Sequence, residues 1–293
     1  MLERVSIAEA KEVEIDFILP GLTAGSVGML AGAPGVGKTM LAMQIAVAVA
    51  SGRDVAYGLW KVHGTGPVTM ICAEEPVDIL CNRLHYIKLS EGITQEEAED
   101  IDLNLHIYSA MKIDTRIIVT SKEGPIEGPF LSTLRQLALN QRLVILDPLV
   151  MFHDCNENNN VEMSYLMRVL KNICIETQTT ILLVHHFHKG GAYDKSWTAV
   201  RGASALTAAA RWQMNCFNEI VPKTNVQVVR LEIVKSNYVG KIQKEWTIRT
   251  NEHGVYDARL PIPMPEDLED DEKPIKKVKT NKYNGRYEIS EVF

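Results

Sequence analysis

The sequence predicts an α/β fold in which helices flank a mostly parallel β-sheet, with antiparallel strands added at one edge near the C-terminus. Three observations predict this class. Short apolar runs, typical of buried strands, alternate with helical patterns between residues 27 and 184. A glycine-rich loop at residues 32–39 joins the first strand to the first helix. Residues 226–234 and 241–249 then have strand patterns with no long helix between them, which favours antiparallel pairing.

The predicted elements follow one another in a regular order. Strands are predicted over residues 27–31, 67–73, 103–108, 143–147 and 180–184, and helices over residues 40–50, 77–88, 126–140 and 161–177. Thr94 followed three residues later by Glu97 predicts a further helix that begins with a capping box. Apolar residues are nearly continuous in the strand segments, as expected for parallel strands covered on both faces.

The chain divides into an N-terminal arm at residues 1–20, a core at residues 21–262 and a charged tail at residues 263–293. The arm has a helical apolar pattern, and it packs either on its own core or on a neighbouring subunit. The tail has an acidic block followed by a basic block, which is typical of disordered segments. Its last residues, 287–293, are apolar enough to dock on a partner, although a solvated tail is the simpler expectation.

Composition excludes several classes of protein. The 293 residues have a net charge of −6, so any nucleic acid must bind at a local basic patch or inside a ring. Five scattered cysteines form no C-x-x-C pair, which predicts reduced thiols in a cytoplasmic protein and argues against a zinc site. The sequence shows neither a signal-peptide pattern nor a long uncharged apolar run, so we expect no membrane association.

The loop at residues 32–39 matches G-x-x-x-x-G-K-[ST], the phosphate-binding loop of nucleotide hydrolases. Its glycines allow backbone N–H groups to surround phosphate. Lys38 is expected to reach the β- and γ-phosphates of ATP, and Thr39 to offer its hydroxyl to Mg²⁺. A preceding strand and a following helix argue against a chance match. The predicted ATP-binding residues are Gly32, Ala33, Pro34, Gly35, Val36, Gly37, Lys38, Thr39 and Met40.

Carboxylates end two of the predicted strands. Asp147 ends the strand at residues 143–147, so we expect it to hold Mg²⁺ together with Thr39, although a strand-end aspartate can simply belong to a turn. Glu74 and Glu75 follow the strand at residues 67–73. Since ligands bind at the carboxyl ends of parallel strands, Glu74 is predicted to activate the attacking water, with Glu75 as the alternative.

His185 follows the strand at residues 180–184 and is predicted to sense the γ-phosphate. The spacing of His185, His186 and His188 is too tight for a metal site on one helix face. The stretch at residues 187–203 follows directly, and it is either a DNA-binding loop or an ordinary mobile surface loop. The residues of this stretch predicted to contact DNA are His188, Lys189, Lys195 and Arg201.

Arg211 follows a run of alanines and has two interpretations. An arginine on an alanine-rich helix often forms a surface salt bridge. Alternatively, it is an arginine finger supplied to the γ-phosphate of a neighbouring subunit. Arg201, Arg230 and Lys235 are the competing candidates for that role.

The ordered set of motifs resembles the plasmid-encoded RepA-type hexameric replicative DNA helicases of the RecA-like superfamily. The matching stretches are Ile18-Leu19-Pro20 with Gly25, residues 32–39, Ala73-Glu74-Glu75-Pro76, Leu146-Asp147, Leu183-Val184-His185-His186, Arg201-Gly202-Ala203-Ser204, Arg211-Trp212-Gln213 and Val234-Lys235-Ser236-Asn237-Tyr238. The resemblance implies a RecA-like P-loop ATPase fold and a ring of six subunits with ATP between them. It also implies single-stranded DNA in the central hole.

For individual residues, the resemblance implies that Glu74 is the catalytic carboxylate, Asp147 the metal partner, His185 the sensor and Arg211 the finger. The choice of Arg211 rests on the family. Two departures matter. Relatives can carry arginines just after the Walker B aspartate, but residues 148–152 here contain none. Many ring helicases have an arginine two residues after the lysine matched by Lys235, where this chain has an asparagine.

The sequence therefore predicts an ATP-dependent replicative DNA helicase that uses ATP and Mg²⁺ and forms a homo-oligomer, with six subunits expected. Single-stranded DNA is the expected partner, and the tail is where a replication initiator, primase or polymerase can dock. The first alternative is a RecA-like ATP-driven switch or recombination mediator that does not unwind DNA. A small-molecule kinase lacks support because no arginine-rich lid is visible. Glu74 and Asp147 argue against a scaffold that only binds ATP.

Overall fold

The computed structural model describes residues 4–187, 204–237 and 244–263. The strands in this part of the chain are β1 (Phe17–Leu19), β2 (Leu22–Thr23), β3 (Val27–Gly32), β4 (Val68–Cys72), β5 (Leu105–Ser109), β6 (Ile118–Ser121), β7 (Gly124–Glu127), β8 (Leu143–Asp147), β9 (Thr180–His186), β10 (Trp212–Ile220), β11 (Gln227–Ser236), β12 (Glu245–Thr250) and β13 (Tyr256–Asp257). The helices are α1 (Lys38–Ser51), α2 (Val77–Ser90), α3 (Gln95–Asp102), α4 (Leu131–Leu137), α5 (Asn160–Thr177) and α6 (Ser204–Ala209).

The central sheet has the strand order β13-β12-β11-β10-β3-β9-β8-β4-β5. The strands from β10 to β5 in this order pair in parallel, and β11, β12 and β13 continue the sheet with antiparallel pairing. The predicted fold class, with its antiparallel edge near the C-terminus, is confirmed. The first three residues of the second predicted edge strand, 241–243, lie outside the described residues.

Two hydrophobic cores cover the two faces of the sheet, and alternate residues of each central strand point into different cores. In β9, Leu182 and Val184 pack on the side of α1, whereas Ile181 and Leu183 pack on the side of α5. Helix α1 is buried around almost its whole circumference, as its nearly continuous apolar sequence requires. The nucleotide-binding motif therefore begins on a rigid, fully enclosed strand–helix unit.

The predicted helix at residues 126–140 is wrong over its first part. Residues 118–127 form the hairpin of β6 and β7, and helix α4 spans only seven residues. The main chain between them is tied to the preceding segment, because Gly128 N donates to Ile117 O at 2.8 Å and Phe130 N donates to Arg116 O at 3.0 Å. These bonds occupy the N–H groups of Gly128 and Phe130 near the predicted start of the helix, so α4 begins only at Leu131.

The N-terminal segment joins the core at Asp16. Arg142 binds the Asp16 carboxylate through both guanidinium nitrogens, at 2.9 and 2.7 Å, and the buried hairpin of β1 and β2 follows. Of the described residues 4–16, none lies in a helix or strand; the predicted helical pattern yields only a turn at residues 7–9. No helix in the described part of the chain has the length and apolar character needed to cross a bilayer.

Candidate active site

A cleft of about 280 Å³ lies where the parallel strands β3, β9, β8 and β4 end. Strand register explains why these ends coincide: Gly32 of β3 pairs with His186 of β9, and Asp147 of β8 pairs with Cys72 of β4. The cleft is lined by Gly35, Gly37, Lys38, Thr39, Glu74, Glu75, Arg83, Asp147, Pro148 and His186. The sheet thus brings the predicted loop residues together with both carboxylate motifs.

The glycine-rich loop ends directly at the N-terminus of α1. Gly37 has a φ of 90°, a left-handed conformation that glycine adopts without strain, and its carbonyl accepts the first helical bond, from Leu41 N. Within the described residues, no side chain caps this helix end and no acidic residue lies in its first turn. The N–H groups and the helix dipole are therefore available for an anion such as phosphate.

Lys38 lies over the loop with only 6% of its surface exposed. Its ammonium group donates to Gly32 O at 3.0 Å and Ala33 O at 2.9 Å, and it lies 3.3 Å from Nδ1 of His186. Burial lowers the pKa of Lys38, while the nearby carboxylates of Asp147 and Glu74 act in the opposite direction. The charge is therefore held inside the cleft, at the entrance to the phosphate-binding loop.

Asp147 and Thr39 form the predicted metal pair. The Asp147 carboxylate is buried and lies close enough to the Thr39 hydroxyl for that group to lower its pKa, and its Oδ2 atom has no hydrogen-bond partner among the described residues. Burial raises the pKa of Asp147 to about 6; the Thr39 bond and Lys38 oppose this rise, and Glu75 and Glu74 add to it. A free carboxylate oxygen beside a hydroxyl is a donor set that suits Mg²⁺.

The buried charge of Asp147 predicts a trade-off between stability and function. A rise in the pKa from 3.8 to about 6 corresponds to roughly 3 kcal/mol, because the folded, metal-free protein disfavours the ionised form. Asp147→Asn should therefore stabilise the metal-free protein at pH 7.5 by up to that amount while losing Mg²⁺-dependent ATP hydrolysis. The gain should shrink as the pH falls through 6 and should vanish only below the unfolded-state pKa of 3.8, where Asp147 is protonated in both states.

Thermal melts of both proteins in a chelating buffer at several pH values test this. Asparagine keeps an oxygen acceptor for Thr39, so the comparison isolates the charge. Equal melting temperatures at pH 7.5 would contradict the assignment of a costly buried carboxylate at this position.

The two glutamates after β4 occupy different environments. Glu75 forms an ion pair with Arg83 of α2, and its backbone carbonyl accepts a 2.6 Å bond from the Ser109 hydroxyl. Glu74 is exposed to the cleft, and its side chain forms no ion pair or hydrogen bond with the described residues. Of the two glutamates, Glu74 is therefore the one with an exposed carboxylate that is not engaged in an ion pair. The sequence analysis missed Arg83, because Glu75 precedes α2 and lies eight residues away, which is beyond the three- or four-residue spacing that identifies side-chain pairs on a helix.

The two histidines at the end of β9 point to opposite faces of the sheet. His185 has a side chain only 1% exposed, and its Nε2 lies 4.0 Å from Oε1 of Glu157 on the α5 side. His186 lies on the α1 side, lines the cleft and approaches Lys38. The structure therefore does not bring His185, the residue predicted from the sequence, to the phosphate side; its neighbour is placed there instead.

The predicted DNA-contacting residues His188, Lys189, Lys195 and Arg201 lie outside the described residues. Arg211 is described and exposed; it does not belong to a helix, since α6 ends at Ala209 and β10 begins at Trp212. Among its competitors, Arg230 is buried and forms ion pairs with Glu219 and Glu232. Of Arg211 and Arg230, Arg211 is therefore the one whose side chain is accessible to a neighbouring subunit.

The cleft joins a glycine-rich loop of the phosphate-binding pattern, a buried carboxylate and an accessible glutamate. A family model described as "AAA domain" matches residues 7–192, which include all of these groups. The chain belongs to the AAA domain family. Together with the loop, this makes the protein a P-loop ATPase that uses a nucleotide.

Two solved structures share the fold. One is an ATPase domain with a TM-score of 0.55 and 15% sequence identity, and the match covers 82% of this chain and 87% of that one. The other is a DnaB-like replicative helicase whose structure describes its interactions with primase, with a TM-score of 0.54 and 14% identity. That match covers 80% of this chain but only 57% of the helicase chain. These likenesses establish the RecA-like architecture of the sheet and its flanking helices.

Proposed function

We propose that this AAA domain protein is an ATP-dependent replicative DNA helicase, a ring-forming motor that moves along single-stranded DNA during replication of a plasmid or other mobile element. The observation that carries the proposal is the separation of the catalytic groups between two ends of the sheet. One end holds a nearly complete nucleotide site. The other end presents an exposed arginine, Arg211, whereas Arg83, which lines the cleft, is paired with Glu75.

The pairing of β10 with β3 shows how far Arg211 lies from the phosphate-binding loop of its own subunit. Arg211 N donates to Val27 O at 3.1 Å, so Arg211 lies at the amino end of β3, whereas the phosphate-binding loop follows its carboxyl end. A strand of this length spans about 16 Å, at roughly 3.3 Å per residue. An arginine side chain is too short to cross that distance. If Arg211 acts on ATP, it must do so in the cleft of another subunit.

The charges around Arg211 fit that arrangement. Lys171 and Lys235 lie near it, and the pKa of each lysine is lowered, first by burial and then by the Arg211 charge. The opposing cleft contains Glu74, Glu75 and Asp147 and would also hold a triphosphate. In the proposed ring, the basic patch of one subunit faces the anionic cleft of the next, and this charge complementarity supports assembly of identical subunits.

Within that patch, Arg211 is the better candidate for the finger. The ammonium group of Lys235 donates to Thr207 O at 2.9 Å and Ala208 O at 2.7 Å, so it is already bound to the end of α6. In the proposed cycle, Glu74 orients the attacking water and Lys38 binds the phosphates. Asp147 and Thr39 would hold Mg²⁺, which would neutralise phosphate charge. We assign the response to the γ-phosphate to His186 rather than His185, because His186 lines the cleft and approaches Lys38.

The N-terminal arm supports assembly into a ring. Val5, Ile7 and Val13 are 91%, 95% and 70% exposed, so the arm does not pack on its own core. Because Arg142 fixes the arm at Asp16, its apolar residues leave the domain from a defined point. We propose that they pack on the neighbouring subunit. The solved helicase that is described with primase makes a primase a reasonable candidate partner for the tail at residues 263–293.

The experiment that tests the function measures ATP hydrolysis with and without single-stranded DNA, on protein whose size is determined by light scattering. We expect a hexamer-sized particle, a rate that rises when single-stranded DNA is added, and strand displacement from a forked duplex. Stimulation without displacement would favour an ATP-driven switch or recombination mediator. A monomer whose hydrolysis ignores DNA would contradict the helicase proposal and leave the nucleotide site intact.

A further inference from the structure

Tyr256 connects the far edge of the sheet to the phosphate-binding loop. It belongs to β13, the outermost antiparallel strand, yet its hydroxyl donates a 2.6 Å hydrogen bond to the carbonyl of Val36 within the loop. The side chain is fully buried, and the two residues are separated by 220 positions in the sequence. A buried tyrosine hydroxyl requires an acceptor, and here the acceptor belongs to the nucleotide site.

The geometry of the peptide bond gives this contact a consequence. In a planar trans peptide, the carbonyl oxygen and the following N–H point in opposite directions. A bond that holds Val36 O towards Tyr256 therefore turns the N–H of Gly37 away from Tyr256, towards the cleft that Gly37 lines. N–H groups at this position of the loop are the donors that surround phosphate. The tyrosine thus fixes the orientation of a donor that it does not itself contact.

Close packing supports the same geometry. A Cβ atom added to Gly37 would lie 2.6 Å from the Tyr256 hydroxyl oxygen, a distance that no side chain tolerates. Glycine is therefore required at residue 37 for two reasons: its left-handed backbone and its approach to Tyr256. The tyrosine packs against the loop at Val36 and Gly37 from within the protein core.

Helix α1 holds Tyr256 in place through Gln44, a fully buried amide. Gln44 Nε2 donates to Tyr256 O at 2.9 Å, and Tyr256 N donates to Gln44 Oε1 at 3.0 Å. The second Nε2 proton is donated to Glu91 Oε1 at 3.0 Å, so the amide is fully occupied. The loop, the helix that follows it and the C-terminal edge strand form one hydrogen-bonded unit.

We infer that Tyr256 is a positioning residue for nucleotide binding, which holds the Val36–Gly37 peptide so that the Gly37 N–H faces the phosphates. The inference rests on the nucleotide site of the proposed function and not on DNA unwinding. Because the N–H contacts phosphate in the ground state and the transition state alike, the hydroxyl contributes to nucleotide affinity more than to the rate of the chemical step.

Tyr256→Phe removes only the hydroxyl and tests the inference on the 293-residue protein. We expect the affinity for ADP, measured by calorimetry, to fall about fivefold, the loss that corresponds to one hydrogen bond of about 1 kcal/mol. For ATP hydrolysis, KM should rise by a similar factor while kcat changes little. The matched control is Ile248→Val on β12, which removes one buried methyl group from the same sheet edge at a comparable cost in stability.

The control should keep wild-type ADP affinity even though its melting temperature falls. If Tyr256→Phe binds ADP as the wild type does, or if Ile248→Val loses the same affinity, the positioning role is wrong and the contact is only structural. These outcomes are independent of the helicase proposal, since neither ADP affinity nor its control depends on DNA. A wild-type protein that binds no ADP would instead overturn the nucleotide site itself, and the inference with it.

Discussion

Lys38→Ala should abolish ATP hydrolysis while the protein remains folded. Lys38 places the ammonium group nearest to the loop, and in the nucleotide-free protein that group is held by Gly32 O and Ala33 O. When ATP binds, the ammonium can exchange these carbonyls for phosphate oxygens, whose charge grows towards the leaving group during hydrolysis. Loss of a preorganised charge-stabilising donor typically lowers the rate of hydrolysis by about 10²-fold or more. Among the described residues of the same cleft, the other arginine or lysine is Arg83, and its pairing with Glu75 prevents it from replacing Lys38.

The control for this change is Lys61→Ala, since Lys61 is an exposed lysine in a loop beyond the C-terminal end of α1. Hydrolysis at saturating ATP should be lost in the first variant and unchanged in the second. Circular dichroism should give the same spectrum for both, because the substitution at Lys38 leaves the apolar core untouched. Normal turnover in Lys38→Ala would remove the basis for assigning this loop to phosphate binding.

The sequence allowed the central strands and the main site residues to be predicted because their signals are local. Apolar runs identify β3, β4, β8 and β9, and the motif fixes the loop between β3 and α1. Asp147 and Glu74 could then be placed in one cleft without knowing the strand order, since the carboxyl ends of parallel strands share one edge. Their convergence in the structure follows from that rule alone.

The choice between His185 and His186 depended on information that the apolar run of β9 does not carry. Successive residues along a strand point to opposite faces of the sheet, so the face that a side chain occupies depends on whether its position is odd or even. A strand buried on both faces is apolar at odd and even positions alike, which hides this parity. Taking the first polar residue after the run gave His185, whereas register with Gly32 places His186 at the cleft.

Tyr256 was missed for a different reason. Its contact with Val36 depends on β13 joining the sheet at its far edge and on Gln44 holding the strand against α1. Neither a two-residue strand nor a pairing across 212 residues has a pattern in the local sequence. Contacts of this kind come from the tertiary arrangement, which periodicity and motifs do not specify.

Arg211→Ala should lower the rate of ATP hydrolysis by about 10³-fold or more while leaving nucleotide binding intact, because an arginine finger acts on the transition-state charge. The residue lies at the opposite end of β3 from its own loop, so the loss must arise in the cleft of the next subunit. Arg168→Ala is the matched control, since Arg168 is an exposed arginine on α5 that stacks on Tyr165. It should keep wild-type turnover.

Mixing subunits distinguishes a finger in trans from any role within one chain. Glu74→Gln should also bind ATP without hydrolysing it, because the amide cannot take a proton from water. In a mixed ring, a cleft with Glu74 from an Arg211→Ala subunit and Arg211 from a Glu74→Gln subunit is complete, so hydrolysis should partly return. If every ratio of the two proteins stays inactive although light scattering shows mixed rings, Arg211 does not act across the subunit boundary, and the separation of the site between two subunits is wrong.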